Sequence, residues 1–236
     1  MKFVTGILLM ISFLTTTLLA QDGKLINKSQ LIFAPDTLSN LEARFSDVTE
    51  IFNQIELHEI TYLSDNLKVK GFLAIPKQKG KYPCLIVNRG ENKEFGAIST
   101  KRALLWLGKL ANWGYVVVAS QYRGNAGGEV RQEFGGANVN DVINLIPWLA
   151  SIPEADTSRV GIYGWSRGGM LTYLALTKTN KFKAAVIGAG MANAFTNITR
   201  RPDMEKYVYS ELIPNYWQNK ESELKATSAV YWAEKL

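Results

Sequence analysis

The stretch GIYGWSRGG, residues 161–169, decides the fold. Within it, Gly164-Trp165-Ser166-Arg167-Gly168 fits the pattern G-x-S-x-G. An apolar run, RVGIYG, leads in, and a helical pattern, SRGGMLTYLALTKT, leads out. A serine on a tight strand-to-helix turn is held in a strained conformation, so its neighbours two positions away must lack side chains. That geometry lifts the Ser166 hydroxyl above the sheet at a helix N-terminus. It also leaves the backbone N–H of Arg167 free to donate to a developing oxyanion. A glycine-rich turn that only packs a helix close to a strand would carry the same glycines; the buried strand before it and the helix after it favour a nucleophile.

Outward from this point, apolar segments alternate with helical ones. YPCLIVNRG (82–90) and YVVVASQYRG (115–124) read as buried strands, separated by a helix through STKRALLWLGKLANWG (99–114). A glycine-rich loop (124–136) precedes a helix from about Asn138, and FKAAVIGAG (182–190) is a further strand. Buried strands alternating with helices predict an α/β fold with a mostly parallel sheet and helices on both faces. Before them, ELHEITYL (56–63) and LKVKGFLAIP (67–76) flank the turn SDN and predict an N-terminal antiparallel hairpin at one sheet edge. Leu41, Phe45, Val48, Phe52 and Ile55 recur at helical spacing, which predicts an amphipathic helix packed on the domain. The polar and aromatic residues after Gly190, over 191–225, are expected to cap the top of the sheet.

The segment DVINLIPWLASIPEADTSRVGIYGWSRGGMLTYLAL (141–176) resembles the catalytic domain of the prolyl oligopeptidase family of serine peptidases, within the α/β-hydrolase fold. The matching pieces are Asp141, Trp148-Leu149, Pro153, Asp156, Arg159 and the GWSRGG elbow; YRGNAGGEVRQEFGG (122–136) resembles the family's YRG…G loop. The resemblance spans roughly residues 56–236 and implies Ser166 as the acylated nucleophile. It also implies a second oxyanion donor in the loop Asn88-Arg89-Gly90, where relatives place a tyrosine or histidine. The Asn88 amide is suited to donate there, or to cap a turn. Arg89 is suited to bind a substrate carboxylate, or to pair with Glu91 or Glu94. At the elbow the family often carries tyrosine where this chain has Arg167.

One residue is out of place. The fold carries its triad in the chain order serine, acid, histidine, yet the only histidine, His58, lies upstream in the hairpin. Asp203, Glu205, Glu211, Glu221, Glu223 and Glu234 follow Ser166 but fall in the cap region or beyond it. The expectation is a catalytic domain over 56–236 that is incomplete at its C-terminus, lacking the acid and the histidine. A serine hydroxyl without a general base is a weak nucleophile. The readings in competition are a serine hydrolase acting on peptide bonds through Ser166, an esterase on the same scaffold, and an inactive domain that binds a ligand or partner chain.

The remaining expectations come from composition. Residues 1–20, MKFVTGILLMISFLTTTLLA, read as a signal peptide cleaved near Ala20, with Leu18 an imperfect fit and an uncleaved anchor the alternative. Residues 21–55 would then form an N-terminal extension. The protein is expected to be exported, periplasmic or extracellular, with no stable membrane association unless that signal is retained. A single cysteine, Cys84, excludes an internal disulfide framework. The net charge of +6 comes from scattered basic residues, so no nucleic-acid partner is expected; the substrate is a small peptide or ester. No cofactor and no metal site is expected, since there is no histidine cluster, cysteine pair or acidic cage.

Overall fold

The computed structural model describes residues 22–236; the segment 1–20, read above as a signal peptide, lies outside the described residues. Seven strands form one sheet: β1 (Leu25–Gln30), β2 (Ile55–Ser64), β3 (Leu67–Pro76), β4 (Tyr82–Asn88), β5 (Val116–Ser120), β6 (Ala155–Trp165) and β7 (Phe182–Gly188). Their order is β1-β2-β3-β5-β4-β6-β7. The first three pair antiparallel, as does β3 with β5, whereas β5, β4, β6 and β7 are mutually parallel. Parallel neighbours require crossovers, and the helical segments read from the sequence supply them.

Two helical layers cover the sheet. On one face lie α4 (Asn138–Ile143), α5 (Leu145–Leu149), α6 (Arg167–Lys178) and α8 (residues 202–212). Val139, Val142, Trp148, Met170 and Leu212 from these helices pack with Ile86, Val116 and Val118 of the sheet. On the other face, α2 (Val48–Gln54) and α3 (residues 100–112) bring Val48, Ile51, Leu104 and Leu107 against Val87, Val117 and Ala119. The β5 run VVVAS therefore feeds both cores by strand alternation, which is why it reads as continuously apolar.

Three sequence expectations change. The predicted single amphipathic helix is split into α1 (Pro35–Glu42) and α2. The Glu42 carboxylate accepts from the Thr49 N–H and starts α2 afresh, which leaves Phe45 exposed in the turn. The stretch 22–55, expected as an extension, is part of the main body: β1 pairs along β2, and Val48 and Ile51 are buried in the core. Consequently β1, not the hairpin, is the sheet edge. Its sequence, LINKSQ, has its two apolar residues side by side at the start and polar ones after them, so no apolar alternation marks it.

At the opposite edge, among the described residues, stands β7. FKAAVIG has the composition of a buried strand, yet most of its residues are exposed, Val186 by 61%. An apolar groove of about 600 Å³ runs beside it, lined by Leu85, Trp106, Trp113, Tyr163 and Val186.

A buried ion pair ties the antiparallel part to the parallel part. The Arg123 backbone N–H and guanidinium both donate to Asp141 at the start of α4, and the same guanidinium reaches Asp65 in the β2–β3 turn at 2.7 Å. Burial alone would lower the Arg123 pKa, but these carboxylates raise it and hold the group charged. Asp141→Ala strips the partner from a buried guanidinium and is expected to cost about 3–5 kcal/mol. A urea unfolding midpoint that does not move would contradict this.

Candidate active site

Ser166 stands alone between β6, which ends at Trp165, and α6, which begins at Arg167. Its backbone has φ 55° and ψ −119°. For a side chain with a Cβ this conformation costs on the order of 1–3 kcal/mol, so the surroundings must impose it. They do so by contact. A Cβ on Gly164 would lie 2.2 Å from the Gly168 carbonyl oxygen, and one on Gly168 would lie 2.0 Å from the Asn88 carbonyl oxygen. Only glycine at both positions lets α6 pack this closely on β6 and β4. The Ser166 N–H donates to the Gly188 carbonyl (2.8 Å), which pins the turn to β7.

The turn after β4 faces the elbow. Asn88 pairs with Gly164 in the β4–β6 register, so counting on by two brings Gly90 level with Ser166. A Cβ on Gly90 would meet the Ser166 Cβ at 3.3 Å. Among the described residues, the N–H groups of Gly90, Glu91 and Asn92 make no hydrogen bond, and neither does that of Arg167 at the first position of α6. Two sets of free backbone donors therefore flank the serine.

The side chains of Asn88 and Arg89 do not join them. Asn88 is fully buried and its amide donates to Thr172 Oγ1 of α6 (2.9 Å), bolting β4 to the helix instead of facing substrate. Arg89 is also fully buried and donates to the carbonyls of Gln121 (2.8 Å) and Gly90. It neither pairs with Glu91 or Glu94 nor reaches the cavity. Asn88 is the last residue of β4 and faces α6, whereas Arg89, one residue past the strand, turns to the carbonyl of Gln121 after β5.

Arg167 contributes more than a backbone donor. Its guanidinium is buried, donating to the carbonyls of Glu91 (3.2 Å) and Glu133 (2.6 Å). It lies 5.1 Å over the Tyr122 ring and 5.6 Å over that of Phe134. Arg89 stands 4.9 Å from the same Tyr122 ring, so the tyrosine sits between two guanidinium groups. Burial pushes the Arg167 pKa down to about 9 and that of Tyr122 up to about 12, the two arginines opposing the latter. Tyr122 is thus a neutral hydroxyl, donating to the Arg89 carbonyl at 3.0 Å. One side chain, Arg167, ties the elbow to the β4 turn and to the glycine-rich loop.

Above Ser166 opens a cavity of about 630 Å³. Its floor is Ser166, Arg167, Ala189 and Gly190; one wall is Glu91, Asn92 and Phe95. The facing wall comes from α7 (Ala194–Arg200) and α8, including Asn197, Arg200, Arg201 and Met204. The segment expected to cap the sheet does so, as helices. The sequence reading passed over Arg200 and Arg201; their only signal was two adjacent cations in a capping segment.

No acid or histidine among the described residues completes a triad. His58 lies in β2, four strand spacings from β6, or about 19 Å at ordinary sheet geometry. It is buried and bonded to Glu56, and desolvation lowers its pKa. Of the acidic residues after Ser166, Glu205 is held by Lys220 and Tyr216, and Glu211 by Lys93; none lines the cavity.

With this geometry the comparisons agree. The profile of the prolyl oligopeptidase family matches residues 103–235, and the chain belongs to that family. It is 31% identical over 153 residues to the uncharacterized peptidase YtmA of Bacillus subtilis, covering 64% of this chain and 58% of that one. It is 38% identical over 71 residues to acetylxylan esterase A of Aspergillus oryzae, covering 29% of this chain and 23% of that one. The Pyrococcus horikoshii acylaminoacyl peptidase superposes with a TM-score of 0.63 at 24% identity, covering 81% of this chain and 32% of that one. That likeness shows the shared α/β-hydrolase fold.

Because the elbow depends on contact, Gly168→Ala is expected to lower stability by about 1–3 kcal/mol through forced separation of α6 from β4. Denaturant titration checks it; an unchanged midpoint would contradict the close-approach account.

Proposed function

We propose that the protein is a serine hydrolase in which Ser166 attacks the carbonyl carbon of a peptide bond and forms an acyl-enzyme. The observation that carries this reading is the strained Ser166 backbone, held between two contact-enforced glycines at the mouth of a ligand-sized cavity. As Oγ bonds to the carbonyl carbon, its proton passes to a general base and the carbonyl electrons move onto oxygen. The N–H of Arg167 and a free N–H of the Gly90–Asn92 turn are placed to hold that oxyanion. Collapse expels the amine, which takes the proton, and water then releases the acid. His58 lies four strand spacings from β6 and no acid after Ser166 lines the cavity, so that base is not among the described residues.

Ester cleavage is the second reading, supported by the similarity to acetylxylan esterase A and by an elbow that serves both reactions. The same proposal includes export to the periplasm or the exterior, which rests on the apolar N-terminal segment 1–20, and a small peptide or ester as substrate. No helix among the described residues is long and apolar enough to cross a membrane.

The test uses protein isolated from its own source, assayed on acylaminoacyl p-nitroanilides and on p-nitrophenyl acetate. Ser166→Ala is expected to reduce kcat by at least about a thousandfold. His58→Asn should leave kcat/KM within about twofold, since a residue so far from the elbow takes no part in proton transfer. Turnover confined to the ester would favour the esterase reading; turnover that survives Ser166→Ala would defeat both.

A further inference from the structure

The cavity over Ser166 is electrostatically one-sided. Its ionisable lining is Arg167, Arg200 and Arg201 against the single carboxylate of Glu91. Glu91 is drawn outward to Arg102 at 3.6 Å, and Arg167 is a buried charge whose partners are neutral carbonyls. Arg200 and Arg201 have no carboxylate within 4 Å among the described residues. The acids that could have neutralised them are engaged elsewhere, Glu205 with Lys220 and Glu211 with Lys93. Asp203, two residues beyond Arg201, stays beyond that distance and lies outside the cavity lining.

Two neutral side chains on the same wall are partly engaged. The Asn193 side chain accepts from the Thr196 N–H at the start of α7, and the Asn197 amide donates to Tyr209. The Asn193 NH2 and the Thr196 hydroxyl remain as neutral donors, and the charged donors on this wall are the two guanidinium groups. Around them the lining is apolar, with Phe95 at 84% exposure on the rim and Met191, Met204 and Val208 within. A cleft of one charge sign with low-dielectric walls concentrates its field on what enters. Arginine suits a carboxylate in particular, because its planar fork matches both oxygens.

We propose that Arg200 and Arg201 recognise a carboxylate on the substrate, so that the cavity selects acyl groups bearing an acidic side chain within one residue of the scissile carbonyl. In a peptide this is Asp or Glu. The inference rests on the reading of Ser166 as the nucleophile and names the substrate class for that site.

The probes are N-acetyl-L-glutamyl p-nitroanilide and its glutaminyl counterpart, equal in size and differing in charge, titrated calorimetrically into the protein. At low salt the glutamyl probe is expected to bind at least about tenfold more tightly, and the preference should fall severalfold in 0.5 M salt as the field is screened. In the double variant Arg200→Met/Arg201→Met, two exposed positions where folding is not at stake, the probes should bind alike. Equal affinity in the wild-type protein, a preference that persists in the variant, or no binding of either probe would overturn the proposal. Turnover of neutral p-nitrophenyl acetate is read separately: its absence would remove the nucleophile reading and leave the binding comparison intact.

Discussion

The close approach of α6 to the end of β4 is the constraint on which the rest depends. At Gly168 the helix backbone comes so near the Asn88 carbonyl that a single methyl group would not fit. That contact, with its counterpart at Gly164, leaves Ser166 in a positive-φ turn and turns its side chain out of the core. It also sets Gly90 level with the serine, so the free N–H groups of the β4 turn and of the helix start lie on either side of it. Strain at Ser166 is sustained because two strands and a helix hold it from below.

A second layer of interactions holds the loops that the contact leaves free. Tyr122 stands between Arg89 and Arg167, and the two arginines cap carbonyls of the β4 turn, the β5 end and the glycine-rich loop. Buried guanidinium groups without carboxylates are costly, and here aromatic faces and carbonyl oxygens offset the lost hydration. The outcome is a rigid floor with residual positive charge. The same charge that fastens the loops biases what the cavity attracts, linking stability to selectivity.

Much of this was legible in the sequence, for identifiable reasons. Continuous apolar runs such as VVVAS announce strands buried on both faces, and G-x-S-x-G in a strand–turn–helix setting announces the elbow. The polar strand β1 was invisible because its signal is pairing, not burial. The spacing of Leu41 to Ile55 suggested one helix because periodicity does not register a carboxylate that restarts the turn. Asn88 and Arg89 drew attention as polar residues beside the site, but register carried their side chains into the interior. The Gly90–Asn92 turn matters through backbone N–H groups, on which side-chain chemistry is silent, whereas the Arg167 N–H was legible through the elbow motif and its buried guanidinium was not. The sign of the cavity came from helices folding back over the serine, a tertiary arrangement no local pattern encodes.

The central claim is that Ser166 is a poised nucleophile. The most direct measurement is reaction of the protein from its own source with a fluorophosphonate, followed by digestion and mass mapping of the adduct. The account predicts a stoichiometric adduct on Ser166 alone. An intact, folded protein that remains unlabelled there, or that carries the adduct on another serine, would contradict it.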